Sequence, residues 1–264
     1  MSTYPVLFTV AFRRKMAELP PALRREWFVS LAHRMGQGSG REDPLLAQEM
    51  REVARGCRLA LVDSVVRQLG PFDERHLAAL LEVPRERFVR PEDVERSAED
   101  IPLALDPAGL ATISAPHAYL LSFRLLRLSP GDRLVELGTG SGYGAALAAF
   151  IVGREGRVVT IEIDPDLAAW ARRTLADEPN VRIIEADAIE SASQWGDARK
   201  VVITFAVERL PGPWLEALPE GGMLVAPVGA LDRDQRLVLV TKRQGRIAES
   251  DHGAVRYVKN RSAK

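Results

Sequence analysis

The chain has 264 residues, enough for one sizeable α/β domain with an extension. Its 36 basic and 36 acidic residues cancel, so no global field draws it to nucleic acid or a membrane surface. There is no signal peptide and no apolar run of membrane length, so a soluble, cytoplasmic protein without a membrane partner is expected.

Cys57 is the only cysteine, which excludes an internal disulfide; it is expected to be a small buried apolar residue and not a nucleophile. Residues 1–56 read as a separate helical extension. Apolar residues recur at helical spacing from Val6 to Leu19, Pro20-Pro21 interrupts, and Ala22 to Met35 places Leu23, Trp27, Phe28 and Leu31 on one face. Residues 36–40 (GQGSG) form a link, and a third helix is expected over Pro44 to Leu69. The stripe with Trp27 and Phe28 must pack on the main domain or on a second subunit, so a homodimer through this extension is one expectation. The clusters Arg13-Arg14-Lys15 and Arg24-Arg25 read first as a solvated face.

Beyond Gly70-Pro71, Asp73 is a fitting N-cap for a helix over Glu74 to Leu81. Proline and glycine break up residues 93–117, which read mostly as loop. A helix from His117 to Leu128 then leads to the turn at Pro130-Gly131. Arg133 to Leu137 is a short buried strand, followed by glycines at every second position from Gly138 to Gly144 and an Ala-rich helix to Val152. A second strand over Arg157 to Ile163 contains Glu162, 24 residues beyond Gly138. Strand, glycine loop, helix and strand make the unit of a nucleotide-binding α/β sheet. A glycine turn lets backbone N–H groups approach a ligand with no Cβ in the way, and a carboxylate at the end of the second strand can take both ribose hydroxyls.

Later strands are legible at Val181 to Ile184, Lys200 to Phe205 and Met223 to Val228. A helix over Pro213 to Leu218 carries Trp214 inward, and a closing antiparallel pair is expected at Arg236 to Thr241 and Ala254 to Val258. The fold class is therefore α/β: a Rossmann-like, doubly wound, mostly parallel sheet with an antiparallel C-terminal strand pair, plus an N-terminal helical extension.

Glu136 before a G-x-G-x-G loop resembles motif I of class I S-adenosylmethionine-dependent methyltransferases. More of the chain carries a narrower resemblance: VPRERFV at 83–89, Asp100, Pro102-Leu103, ATISAPH at 111–117, the loop and helix at 135–153, GRVVTIEIDPDLAAWARRTL at 156–175 and GGMLVAPVG at 221–229. Over about residues 58–240 this is similar to protein-L-isoaspartate O-methyltransferase. The resemblance implies transfer of a methyl group from S-adenosyl-L-methionine to an isoaspartyl or aspartyl-type carboxylate, with no metal. It also implies residues 57–264 as the methyltransferase domain and a peptide, protein or small-molecule carboxylate acceptor, with no nucleic acid.

Carried over residue by residue, Ser114 falls at the family's substrate-contacting hydroxyl, flanked by Thr112, Ile113, Ala115 and His117, with Phe205 and Val228 facing the acceptor. Glu136, Gly138, Thr139, Gly140, Ser141 and Gly142 fall on the cofactor loop, Glu162 and Ile163 on the ribose acid and its neighbour, and Asp187 and Ala188 beside the adenine amine. Plainer roles stand next to these: Ser114 and Asp187 could each cap a helix, and His117 at a helix start could be structural. A carboxylate is ionised at neutral pH and needs no general base, so Ser114 would position an oxygen.

Three segments depart from the family: residues 105–110, with Leu110 where Gln is common; residues 205–211, bulkier and charged; and residues 257–260, without a proline. All three belong to the acceptor half. The alternatives are accordingly a divergent member acting on a dedicated peptide or small biosynthetic intermediate, or a non-catalytic cofactor-binding scaffold. Transfer RNA adenine methylation, suggested by a similar E-x-G-T-G-S-G segment in some such enzymes, fits poorly with zero net charge.

Overall fold

The computed structural model describes residues 44–261, with side chains from residue 55 onward except that of Glu95. The expected helices over residues 6–35, the link at 36–40 and any dimer contact made through them lie outside the described residues. A 26-residue helix, α1 (Pro44–Leu69), runs unbroken across the junction at 56/57. Its Leu61 and Val65 are buried against α2 (Glu74–Glu82). Asp73 caps α2 by accepting from the Arg75 N–H.

The segment read as loop carries local structure of its own. A 3₁₀ stretch covers Pro91–Arg96, and two short strands, β1 (Leu103–Ala104) and β2 (Thr112–Ile113), pair antiparallel. Helix α3 (Pro116–Leu125) starts one residue earlier than the sequence suggests, with Pro116 in its first turn, where a missing N–H costs nothing.

The central sheet then forms from β3 (Arg133–Leu137), β4 (Arg157–Glu162), β5 (Val181–Glu185), β6 (Lys200–Ile203), β7 (Met223–Val228), β8 (Gln235–Arg243) and β9 (Arg246–Val255). Their order is β5-β4-β3-β6-β7-β8-β9, parallel up to β7 and antiparallel for the last two pairings. Helices α4 (Tyr143–Val152), α5 (Pro165–Thr174) and α6 (Gly212–Ala217) complete the layers. Alternation along the buried strands sorts the core into two faces. Leu134, Val202 and Val225 pack with α1 to α5. Val135, Leu137, Val201, Ile203, Leu224 and Ala226 pack on the other face with Trp195, Trp214 and Leu218. Arg75 links α2 to the sheet layer by donating to the carbonyls of Phe150 and Ile151 at the C-terminus of α4, where a helix leaves acceptors unsatisfied.

Two expectations are corrected. The closing pair is β8 with β9, a hairpin turning at Gln244-Gly245. The second strand is Arg246–Val255 and not residues 254–258. It lies at the sheet edge with almost every residue exposed, so Glu249, Asp251 and His252 can occupy it, and the apolar pattern that marks inner strands is missing. Cys57 is exposed on α1, not buried. Among the described residues, no helix is long and apolar enough to cross a membrane and no group of three or more His, Cys, Asp or Glu could hold a metal.

Candidate active site

Strand order reverses at β3. From there β4 and β5 lie to one side and β6 and β7 to the other, and a ligand crevice belongs at the carboxyl ends of strands at such a point. Gly138 leaves β3 with φ +94°, its N–H donating to the Ile161 carbonyl at 2.9 Å. A Cβ at Gly138 would strike Thr204 Oγ1 and come within 3.0 Å of the Phe205 ring. Thr204 in turn donates its hydroxyl to the Gly138 carbonyl at 2.6 Å. The loop is thus clamped between the ends of β4 and β6, with its backbone facing the crevice.

Gly138, Gly140, Glu162, Ile163 and Ala188 line the crevice from the expected cofactor set, and Thr112 and Phe205 from the expected acceptor set. Glu162 is 6% exposed, and its carboxylate accepts from the amides of Gly140 at 2.8 Å and of Ile163 and Asp164 at 3.1 Å. Burial nevertheless dominates and pushes its pKa up. Ala188 is held in place by Trp214, whose indole N–H donates to the Ala188 carbonyl at 3.0 Å.

The remaining residues stand off the lining. Glu136 is 1% exposed and lies behind the loop, on the helix side of β3. Its Oε2 accepts from Thr160 at 2.7 Å, and Thr160 meets Thr139 at 2.6 Å. A Cβ on Gly144 would run into Glu136 Oε1 and the Tyr119 ring, so that glycine makes room for the carboxyl. Burial, with the Glu162 charge adding to it, raises the Glu136 pKa to about 8 against the opposing Thr160 hydrogen bond. Thr139 and Ser141 are buried in the loop, and Gly142 is the left-handed N-cap residue of α4. Asp187 is half-buried and accepts from the Ile189 N–H at 2.9 Å, with no α-helix following it to cap.

Ser114 is fixed through its backbone. Its N–H donates to Tyr119 Oη at 3.2 Å and its carbonyl accepts from Arg85 at 3.1 Å. The capping role open to it is not taken: the N-cap of α3 is Ala115, without a side-chain bond. Ile113 and Ala115 are buried beside it, and Val228 is half-buried at the end of β7. His117 is a partner of Asp100, which accepts from the His117 amide at 2.9 Å and meets its Nδ1 at 3.0 Å. Burial would raise the Asp100 carboxyl, but these His117 contacts outweigh it and hold the group below its usual pKa.

Two arginines that sequence reasoning passed over organise the surroundings. Arg85 is fully buried and donates to the carbonyls of Ser97, Glu99, Ile101 and Ser114 at 2.8–3.1 Å. A cation inside V-P-R-E-R-F was the available signal. Arg261 reaches from the C-terminal segment to Asp106 at 2.8 Å and to Asp164. Residues 258–261 thereby form part of the crevice lining, joined through Asp106 to the segment that carries Leu110 and Ala111. Asp106 also accepts from the Leu110 and Ala111 amides. These contacts and Arg261 keep its carboxyl below the ordinary range despite some opposing burial. Leu110 is left 63% exposed at the lip.

Comparison with known proteins agrees with the geometry. Residues 59–263 match the family profile of protein-L-isoaspartate(D-aspartate) O-methyltransferase. A protein-L-isoaspartate O-methyltransferase of Gloeobacter violaceus is 38% identical over 200 residues, covering 75% of this chain and 95% of the relative. One from Methanococcus aeolicus is 39% identical over 182 residues, covering 68% and 82%. Among solved structures, a protein-L-isoaspartate O-methyltransferase superposes with a TM-score of 0.70 at 26% identity, covering 76% of this chain and 65% of that one. A β-aspartate methyltransferase from Plasmodium falciparum, in complex with S-adenosyl-L-homocysteine, gives 0.67 at 24%, with 76% and 97% covered, and is similar in fold.

Proposed function

Because this chain belongs to the protein-L-isoaspartate O-methyltransferase family, we propose that the crevice at the switch point is its active site and that residues 57–264 act as the methyltransferase unit, with residues 1–56 as an extension. The protein is an S-adenosyl-L-methionine-dependent methyltransferase acting on isoaspartyl carboxylates of peptides and proteins. The observation that carries the site assignment is the joint lining by Gly138, Gly140, Glu162 and Ile163.

The residues fit the methyl donor. The Gly138 cradle has no room for a Cβ, the Glu162 carboxylate suits two vicinal hydroxyls, and Ile163, Leu167, Ala188 and Phe205 offer apolar contact to a base. When bound, the donor supplies an activated methyl: the S–C bond breaks as the acceptor carboxylate forms the new O–C bond, the electron pair stays on sulfur, and no proton moves. The chain's own task is therefore alignment and exclusion of water. Arg85 and Tyr119 hold the backbone at Ser114, so that its hydroxyl can orient an acceptor oxygen, and Asp100 holds His117 beside it.

The reading is tested by methyl transfer to a synthetic isoaspartyl peptide, with its aspartyl isomer as control. Turnover on the first and not the second is expected. Ser114→Ala should lower turnover roughly ten-fold or more while leaving S-adenosylhomocysteine affinity within about two-fold; parallel loss of both would contradict the positioning role. Glu162→Ala is expected to weaken S-adenosylhomocysteine binding roughly 10- to 100-fold by calorimetry, since it removes charge-assisted hydrogen bonds. An unchanged affinity would remove Glu162 from the cofactor site. A second reading, a dedicated apolar-flanked peptide as acceptor, draws on the exposed Leu110 at the crevice lip. Cofactor binding without turnover on generic isoaspartyl peptides would favour it.

A further inference from the structure

Fixed charge around the crevice is unevenly balanced. Arg261, on the lining, is matched by two carboxylates, Asp106 and Asp164, and Glu162 adds a third. Such a wall suits a cationic ligand and opposes an anionic one. One other cation stands on the lining, Lys259. It is exposed, and among the described residues its ammonium makes no hydrogen bond or ion pair. Its backbone is nonetheless anchored beside the end of β6. The Ala206 N–H donates to the Val258 carbonyl at 2.8 Å, and the Asn260 N–H to the Ala206 carbonyl at 3.2 Å. Lys259 is thus a placed and uncommitted positive charge, bridged through its backbone to Ala206, the residue after Phe205.

We infer that Lys259 is the cation that receives the acceptor's carboxylate, a specificity-determining residue that offsets the acidic surroundings for an anionic substrate. The inference rests on the carboxyl-methylation reading above. The charge change gives it a definite kinetic signature. The acceptor enters as an anion and leaves as a neutral ester, so its attraction to Lys259 weakens along the reaction and is absent in the product. Lys259 therefore acts in capture and lets the ester go, and it contributes to KM rather than to kcat.

The test uses the full chain saturated with S-adenosylhomocysteine, a labelled isoaspartyl peptide in an anisotropy titration, and steady-state kinetics on the same peptide. Lys259→Gln should raise peptide Kd and KM roughly five-fold, Lys259→Glu roughly twenty-fold or more, and Lys259→Arg should stay near wild type. Turnover at saturating peptide should hold level or rise slightly in Lys259→Gln, because the lost contact is weaker in the transition state than in the bound ground state, and the rise of KM with salt should be shallower than in wild type. If Lys259→Glu binds the peptide as wild type does, or if Lys259→Arg fails as badly as Lys259→Glu, the inference is overturned while the carboxyl-methylation reading stands. If the wild-type protein neither binds nor methylates the peptide, the acceptor reading falls and takes this inference with it.

Discussion

Arg85→Ala is expected to lower unfolding free energy by roughly 3–5 kcal/mol, the range for removing a buried charged donor and leaving its acceptors unpaired. For a domain of this size that corresponds to a melting temperature lower by roughly 10 °C. Four carbonyls lose their donor at once: those of Ser97, Glu99, Ile101 and Ser114. Burial pulls the guanidinium below its ordinary pKa, with the neighbouring Tyr143, Tyr119, Asp100 and Glu99 opposing. Arg85→Lys keeps a charge but replaces a planar fork with a point donor, so it should recover only part of the loss. Thermal melts of the three proteins decide the matter, and a melting temperature unchanged in Arg85→Ala would refute it. Because the same side chain holds the Ser114 carbonyl, turnover of the folded Arg85→Lys protein should fall more than its cofactor affinity.

Glu136→Gln is expected to stabilise the protein by roughly 3 kcal/mol or more above pH 8 and to change little below about pH 4.5. The folded-state pKa is raised, so the native protein holds its proton more tightly than the unfolded chain does. In the wild type, stability is therefore lost as pH climbs from the ordinary carboxyl value to about 8 and is then level. The amide of the Glu136→Gln protein cannot ionise, so its advantage grows across that window. Denaturant midpoints measured from pH 4 to 9 would reveal it, and parallel curves for the two proteins would sink the idea. A donor with a cationic amino-acid group bound near Glu136 would pull the carboxyl pKa down. Calorimetric titrations near pH 7 in buffers of different ionisation enthalpy should then show proton release in the wild type and none in Glu136→Gln.

Local chemistry was readable where neighbours in sequence are neighbours in space. Asp73 caps the helix it precedes. Trp214 turns inward from α6. Glu136, the glycines and Glu162 belong to one strand–loop–helix–strand unit whose parts lie within about thirty positions of each other. Near-continuous apolar runs at β3, β6 and β7 read as strands covered on both faces, and two cores do cover them. What failed to show had no local signature. β9 is polar because it is an edge, and edges do not need the apolar pattern. Cys57 is exposed although Leu61, one turn further along the same stripe of α1, is buried, a difference that helical spacing does not encode.

The order of hydrophobic runs, glycines and acids along the chain was enough to establish the α/β class and the strand–glycine loop–helix–strand unit that carries Glu136 and Glu162, since each depends on spacing that the backbone converts directly into geometry. The charge state and company of those groups were decided only in three dimensions. Arg261 meets Asp106 from 155 positions away, Arg85 gathers carbonyls from four places, and the Glu136 carboxyl is pushed up in pKa because helix and loop bury it. Burial and long-range pairing arise from the packed assembly of elements, and a one-dimensional pattern carries no measure of either.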